Sequence, residues 1–323
     1  MRRRRPAART TPAAFAQLDV DAAPWLALSG SARVDAHSAY GTFVNPRLSA
    51  LLRRPGEGAL AGWTVRASGG TGAFAPTPFT EETEATGLRP LEPLRGLVAE
   101  RARSASLDVG GPLATALGRL ELNATAFGSR VRHPLLVREV PGAADGAGQP
   151  SRLAIANAAR ATVTWGADAF ARLRIDDVLS GELGVLGTYV YLRAREDDPE
   201  RGLRREVPLT PRHSAGLDVI WEAEGRGRLG LEFFHTGRQA LADNPYRTES
   251  RPYLLVGLLG EWRVPVRGAS ARLFVNAENL TGVRQTRYDP LLLPRRGQGG
   301  RWTTDVWTEL AGRTINGGVR LEL

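Results

Sequence analysis

Apolar and polar residues alternate with a period of two along the closing stretch of this chain, up to its last residue. From Ala271 to Glu278, Leu273, Val275 and Ala277 fall on one side and Arg272, Asn276 and Glu278 on the other. Near the end, Ile315, Val319, Leu321 and Leu323 share a side opposite Asn316, Arg320 and Glu322. A period of two is the mark of a strand, whose successive side chains point to opposite faces. A sheet of such strands is apolar on one face and charged on the other. That pattern suits a wall between lipid and a wet lumen.

The same pattern recurs upstream. Leu120, Leu122, Ala124 and Ala126 alternate with Glu121, Asn123 and Thr125. Ala215, Leu217, Val219 and Trp221 alternate with Ser214, Gly216, Asp218 and Glu222, and Leu183, Val185, Tyr189 and Tyr191 oppose Glu182 and Thr188. These segments lack the three-and-four spacing of an amphipathic helix. About thirteen strands are predicted, at 11–20, 24–36, 40–53, 60–74, 96–110, 116–137, 151–172, 179–195, 209–222, 225–240, 250–265, 269–281 and 310–323. Counted back from the C-terminus, the connections alternate long and short. Outer-membrane barrels pair short periplasmic turns with long extracellular loops in this way. The alternation predicts that 75–95, 138–150, 196–208, 241–249 and 282–309 lie outside the cell. Trp25, Trp63, Trp165, Trp221 and Trp262 fall near predicted strand ends, where aromatic belts sit at the two interfaces.

Composition narrows the function. Cysteine is absent, so disulfides and thiolate metal sites are excluded. The net charge of +9 would suit nucleic acid, but the basic residues, all arginine, are spread along alternating segments and many adjoin acids. No nucleic-acid partner is expected. The strongest apolar run, Leu254 to Gly260, is far shorter than the ~20 residues of a spanning helix. That leaves a β-barrel open, because its strands are half polar. The histidines His37, His133, His213 and His235 are scattered without ligand spacing, and no phosphate-binding loop occurs. His213 and Asp218 share a strand but fall on opposite faces. Neither a cofactor nor an enzymatic activity is expected.

Several motifs, in order, resemble the TonB-dependent receptors of Gram-negative outer membranes. Phe274-Val275-Asn276-Ala277-Glu278-Asn279-Leu280-Thr281 is similar to the family's penultimate strand and its Asn-Leu-Thr signature. Arg287-Tyr288-Asp289-Pro290 and Arg301-Trp302 resemble the following loop, and Gly312 to Leu323 the closing strand. Gly72-Ala73-Phe74-Ala75-Pro76-Thr77-Pro78-Phe79 and Gly187-Thr188-Tyr189-Val190-Tyr191-Leu192 resemble further family segments. Gly282 stands where the signature usually has Asp or Asn, Phe74 where a basic residue is usual, and Leu323 where an aromatic is usual.

The resemblance implies an all-β, antiparallel transmembrane β-barrel of the outer-membrane receptor type. Family barrels have about 22 strands around a plug, so about thirteen strands imply a partial barrel, the C-terminal portion, without plug or energy-coupling segment. Residues 1–10 are expected to form a disordered basic N-terminus and 11–323 the barrel. The implied function is uptake of a scarce substrate, a ferric siderophore, haem or cobalamin, driven by the TonB energy-coupling complex. The implied partners are outer-membrane lipid, lipopolysaccharide and a ferric chelate or similar small ligand. A stand-alone, non-coupled porin-like or structural barrel of about twelve or fourteen strands fits the same alternation.

Candidate ligand contacts lie in the outer loops. Glu81 and Glu82 belong to a short acidic cluster that would meet a cation or basic ligand, or simply be solvated loop charge. Arg287, Tyr288, Trp302 and Trp307 share the longest loop. Cations and aromatics there suit an anionic, aromatic ferric chelate, and equally a loop resting on lipopolysaccharide phosphates.

Overall fold

In this computed structural model, residues 9–78, 91–140, 152–242, 244–266, 269–295 and 302–322 are described. The strands are β1 (Ala13–Ala23), β2 (Leu26–His37), β3 (Gly41–Arg53), β4 (Thr64–Phe74), β5 (Glu100–Thr115), β6 (Gly118–Arg132), β7 (Leu135–Val140), β8 (Arg152–Asn157), β9 (Thr162–Val178), β10 (Gly181–Asp197), β11 (Arg204–Glu206), β12 (His213–Ala223), β13 (Gly227–Thr236), β14 (Tyr253–Val266), β15 (Ala269–Glu278) and β16 (Thr314–Glu322). One 3-10 turn, η1 (Gln285–Arg287), lies between β15 and β16. No helix among the described residues is long and apolar enough to cross a membrane.

Thirteen strands form one antiparallel sheet in the order β1-β2-β3-β4-β5-β6-β9-β10-β12-β13-β14-β15-β16, with β11 paired to β10 beside this path. The order follows the chain: each strand pairs with the next one on this path, and β7, β8 and β11 fall in the connections between them. With an odd number of antiparallel strands, the two edges, β1 and β16, run in the same direction. The long connections gather at one end of the sheet and short turns such as 116–117, 179–180 and 224–226 at the other.

Register keeps the two faces distinct across the sheet. Leu107, Ala126, Ala167, Tyr191 and His213 form one cross-strand row, and Val109, Ala124, Ala169, Tyr189 and Ala215 the next. The opposite face carries Asp108, Thr125 and Asp168 in line, with the Thr125 hydroxyl 3.2 Å from Asp108. At β15–β16, Leu273 faces Val319 and Ala277 faces Ile315, while Asn276 faces Asn316. On the polar face, a Cβ at Gly318 would lie 2.8 Å from the far edge of the Phe274 ring, so a larger residue there would make that ring move.

The apolar face is not covered by any of the described residues. Leu48 is 69 % exposed, Leu18 67 % and Ile315 68 %. Apolar exposure this continuous marks a surface that meets something other than water. Rings flank it at both ends. Trp221 stacks on Trp262 with centroids 6.2 Å apart near the short turns. Trp165 meets Tyr191 edge-on at 5.5 Å near the long loops. Trp25 and Trp63 immediately precede β2 and β4 at the short-turn end.

The sheet has a strand for each predicted one, with two boundaries corrected. The segments expected at 116–137 and 151–172 each break. β6 stops at Arg132 because His133 takes a positive φ of 55° and Pro134 has no N–H to continue a ladder. β7 then pairs with β8 as a separate two-stranded sheet among the long loops. Its Leu153 is 2 % exposed and accepts from the Glu92 N–H, while Asn157 bonds both backbone groups of Val98. Two long loops are thereby tied together. Residues 1–8 of the expected basic terminus lie outside the described residues. Arg9 and Thr10 are held, by the Pro76 carbonyl and by Ser38.

Candidate functional site

The main buried cluster in the C-terminal half sits above the sheet, where the loops 237–252 and 279–313 pack on each other. Asn279 starts the long loop. It takes a φ of 50°, which its short polar side chain tolerates. Its amide accepts from the Val283 N–H at 2.9 Å and donates to the Val283 carbonyl at 2.7 Å. The Thr281 hydroxyl donates to the Leu254 carbonyl on β14. Gly282 takes a φ of 66°, a conformation open to Gly, Asn and Asp, which accounts for glycine at this position. The Asn-Leu-Thr stretch is therefore a lock that turns the chain out of β15.

Gln285, in η1, is fully buried. Its amide donates to the Asp305 carbonyl at 2.7 Å and accepts the Trp307 backbone N–H at 2.8 Å. Gln239, from the other loop, donates to the Trp307 carbonyl at 3.0 Å. Asp289 lies at the centre, 1 % exposed. Arg247 donates to it at 2.8 and 2.6 Å, Asn244 at 3.2 Å and the Trp307 indole at 3.1 Å. A buried carboxylate is tolerable only with such a full set of donors.

The expected ligand contacts separate in this setting. Trp307 is 3 % exposed, an internal brace whose ring has no face turned to solvent. Tyr288 packs on it at 5.8 Å but is 39 % exposed, with the Arg251 guanidinium over its ring, 5.0 Å from the centroid. Arg287 is exposed on η1, and Trp302 is 53 % exposed beside Leu293, whose N–H donates to the Trp302 carbonyl. Glu81 and Glu82 lie outside the described residues. Arg251 and Arg247 were not singled out by the sequence, because neither stands in a motif.

A second charged knot closes the end of β10. Arg160 reaches Asp197 at 2.8 Å, and Arg205 bridges Glu196 at 2.7 Å and Asp198 at 3.3 Å. Arg212 pairs with Glu206, whose hydrogen bond and charge raise the guanidinium pKa. Burial pushes the Asp198 carboxyl up, but the backbone N–H groups of Arg201 and Glu200 and the guanidinium of Arg205 outweigh it and hold it below its ordinary range.

No curated protein matches this sequence. Solved structures match it at low identity. A mutant of the ferric enterobactin receptor PfeA of Pseudomonas aeruginosa is 17 % identical with a TM-score of 0.66, over 97 % of this chain and 45 % of that one. The FrpB iron transporter of Neisseria meningitidis is 14 % identical with a TM-score of 0.63, over 97 % and 45 %. The siderophore receptor PirA of Acinetobacter baumannii is 13 % identical with a TM-score of 0.63, over 97 % and 45 %. This chain spans under half the length of each. The family model for the TonB dependent receptor-like β-barrel matches residues 2–280. That span is most of the sequence, and the chain belongs to the TonB-dependent receptor β-barrel family.

Proposed function

We propose that the chain forms wall, lumen lining and outer loops of an outer-membrane receptor that takes up a scarce substrate, a ferric siderophore, haem or cobalamin. The observation that carries this reading is the open antiparallel sheet with a continuous uncovered apolar face. Lipid is the medium that such a face suits. The solved relatives are named for ferric enterobactin, iron or siderophores, which supports a ferric chelate as substrate.

Both edges of the sheet run the same way. A stand-alone porin-like barrel of this chain would have to close β1 on β16 in parallel. A fully antiparallel barrel needs an odd number of further strands between them, which favours part of a larger wall. Transport, the plug and the TonB energy-coupling complex then belong to the whole receptor. Arg287, Tyr288 and Trp302, joined by Arg251, are the loop contacts for an anionic, aromatic chelate. Glu81 and Glu82, outside the described residues, stay candidates for a cation or a basic ligand on sequence alone, with solvated loop charge as the alternative.

Fractionation with heat-modifiability on gels tests the reading. The chain is expected in the outer-membrane fraction, with a mobility that changes on boiling. A chain that is soluble and monomeric without detergent contradicts it.

A further inference from the structure

The polar face carries a row of like charge at the short-turn end of its last strands. Register sets Arg263 on β14 opposite Arg272 on β15, and Arg272 opposite Arg320 on β16. The Arg263 N–H donates to the Arg226 carbonyl, which extends the row to the turn before β13. Four arginines thus stand side by side over about 14 Å at the usual strand spacing. Their neighbours Trp262, Val264 and Leu273 fall on the apolar face, so the row belongs to the lumen side of the wall.

Like charges directly opposite in a ladder destabilise it. Acids offset this row only in part. Glu261 lies 3.2 Å from the Arg272 guanidinium. The guanidinium groups of Arg226, Arg228 and Arg320 are exposed and have no hydrogen-bond or ion-pair partner among the described residues.

The row borders a cavity. A space of about 380 Å³ opens between the turn 224–226 and the ends of β14 and β15, lined by Arg226, Arg228, Arg263 and Arg272. Glu222 and Glu224 stand on its β12 side, and Arg320 continues the arginine side away from them. That volume suits a small molecule, whereas a folded partner needs a much wider surface. Lipid is a poor occupant, because strand parity turns the row away from the apolar face. A metal cation is a poor occupant, because the arginines outnumber the acids.

We propose that Arg226, Arg263, Arg272 and Arg320 bind a small polyanion, a water-soluble molecule bearing several phosphate or carboxylate groups. Guanidinium forks match the oxygens of either group bidentately. Anionic groups spaced about 5 Å apart meet arginines on successive strands. The proposal rests on the outer-membrane reading for placing the row in a lumen. It adds a binding position at the end of the wall opposite the outer loops.

The test uses the full chain refolded in detergent, with heat-modifiability as the check on barrel formation. Binding of tripolyphosphate, tricarballylate, acetate and a hexaglutamate peptide is measured by titration calorimetry. Wild type is expected to bind a small polyanion well above acetate, and the tighter of the two tells phosphate from carboxylate. Combining Arg226→Gln, Arg263→Gln and Arg320→Gln is expected to weaken that binding about tenfold or more. Combining Arg47→Gln, Arg66→Gln and Arg119→Gln removes as much charge from the same face of β3, β4 and β6. That variant is expected to bind within about twofold of wild type, since screening isolates distant charges. If the first combination loses heat-modifiability, Arg320→Gln alone replaces it, with about a threefold loss expected. A heat-modifiable chain that binds neither polyanion above acetate, or binds only the peptide, overturns the site alone. So does an Arg226, Arg263 and Arg320 variant that binds as wild type does. A wild-type chain that gives no heat-modifiable form overturns the membrane reading and the lumen placement with it.

Discussion

Leu217 and Trp307 are both large apolar side chains, yet Leu217 is 41 % exposed and Trp307 3 %. Leu217 stands on β12 in the sheet, and Trp307 braces the loops above it. The sheet is held by its ladders and leaves its apolar face bare. The loops bury a compact centre, with Gln285, Asp289 and Thr304 all but inaccessible. On the proposed reading, the difference reflects two solvents. Loops in water must build their own core and satisfy its polar groups internally. A wall in lipid needs only closed backbone pairing and an apolar outer face.

The largest expected effect lies in the loops. Asp289→Ala strips Arg247 of its buried partner, at a cost of about 3–5 kcal/mol. Hydrogen exchange should rise across 237–252 and 279–313 while the ladders of β12–β16 stay protected. Equal loss of protection in the ladders would show that the two regions are one cooperative unit.

The wall should respond to face instead of burial. Leu217→Arg, near the middle of the apolar face, is expected to cost about 2–4 kcal/mol in a bilayer. Asp218→Asn, one residue on and facing the lumen, should change stability by less than about 0.5 kcal/mol. Refolding titrations into vesicles measure both, and similar costs for the pair would break the assignment of faces. Asn279→Ala removes the lock at the junction of wall and loops and places an ordinary side chain at positive φ. A loss of about 1–3 kcal/mol is expected, confined to the loop.

The smallest effect is a pH dependence at the β10 knot. The Asp198 carboxyl is held below its ordinary value of 3.8. Its contribution to stability is therefore complete above that value and is lost as pH falls through the lower folded value. Loop protection around 198–206 should weaken on acidification below about pH 4, and Asp198→Asn should flatten that limb. A limb of the same shape in the variant would assign the acid sensitivity to another group.

The wall was legible because its rule is local. A residue's parity within its own strand fixes its face, so Leu120 to Ala126 and Ala215 to Trp221 could be placed without knowing their neighbours. The loop centre follows no such rule. Arg247 and Asp289 are 42 residues apart, and nothing beside either of them marks the pairing. Trp307 read as a ligand-facing aromatic because composition cannot distinguish a braced ring from an open one. Tyr288, one residue before Asp289, keeps its exposure in the same cluster. The hairpin of β7 and β8 was hidden for a related reason. Its alternation ran on from the neighbouring wall strands, and the break at His133-Pro134 was too short to stand out.

The sequence has no cysteine, so single cysteines can be read one at a time without background. The most direct test is a nitroxide scan along β16, from Ile315→Cys to Leu321→Cys, in lipid vesicles. Collision rates with oxygen and with a water-soluble nickel complex report lipid and water contact. Positions 315, 317, 319 and 321 should favour oxygen, and 316, 318 and 320 the nickel complex. A scan with no period of two, or with all seven positions open to the nickel complex, would contradict a wall set between lipid and lumen.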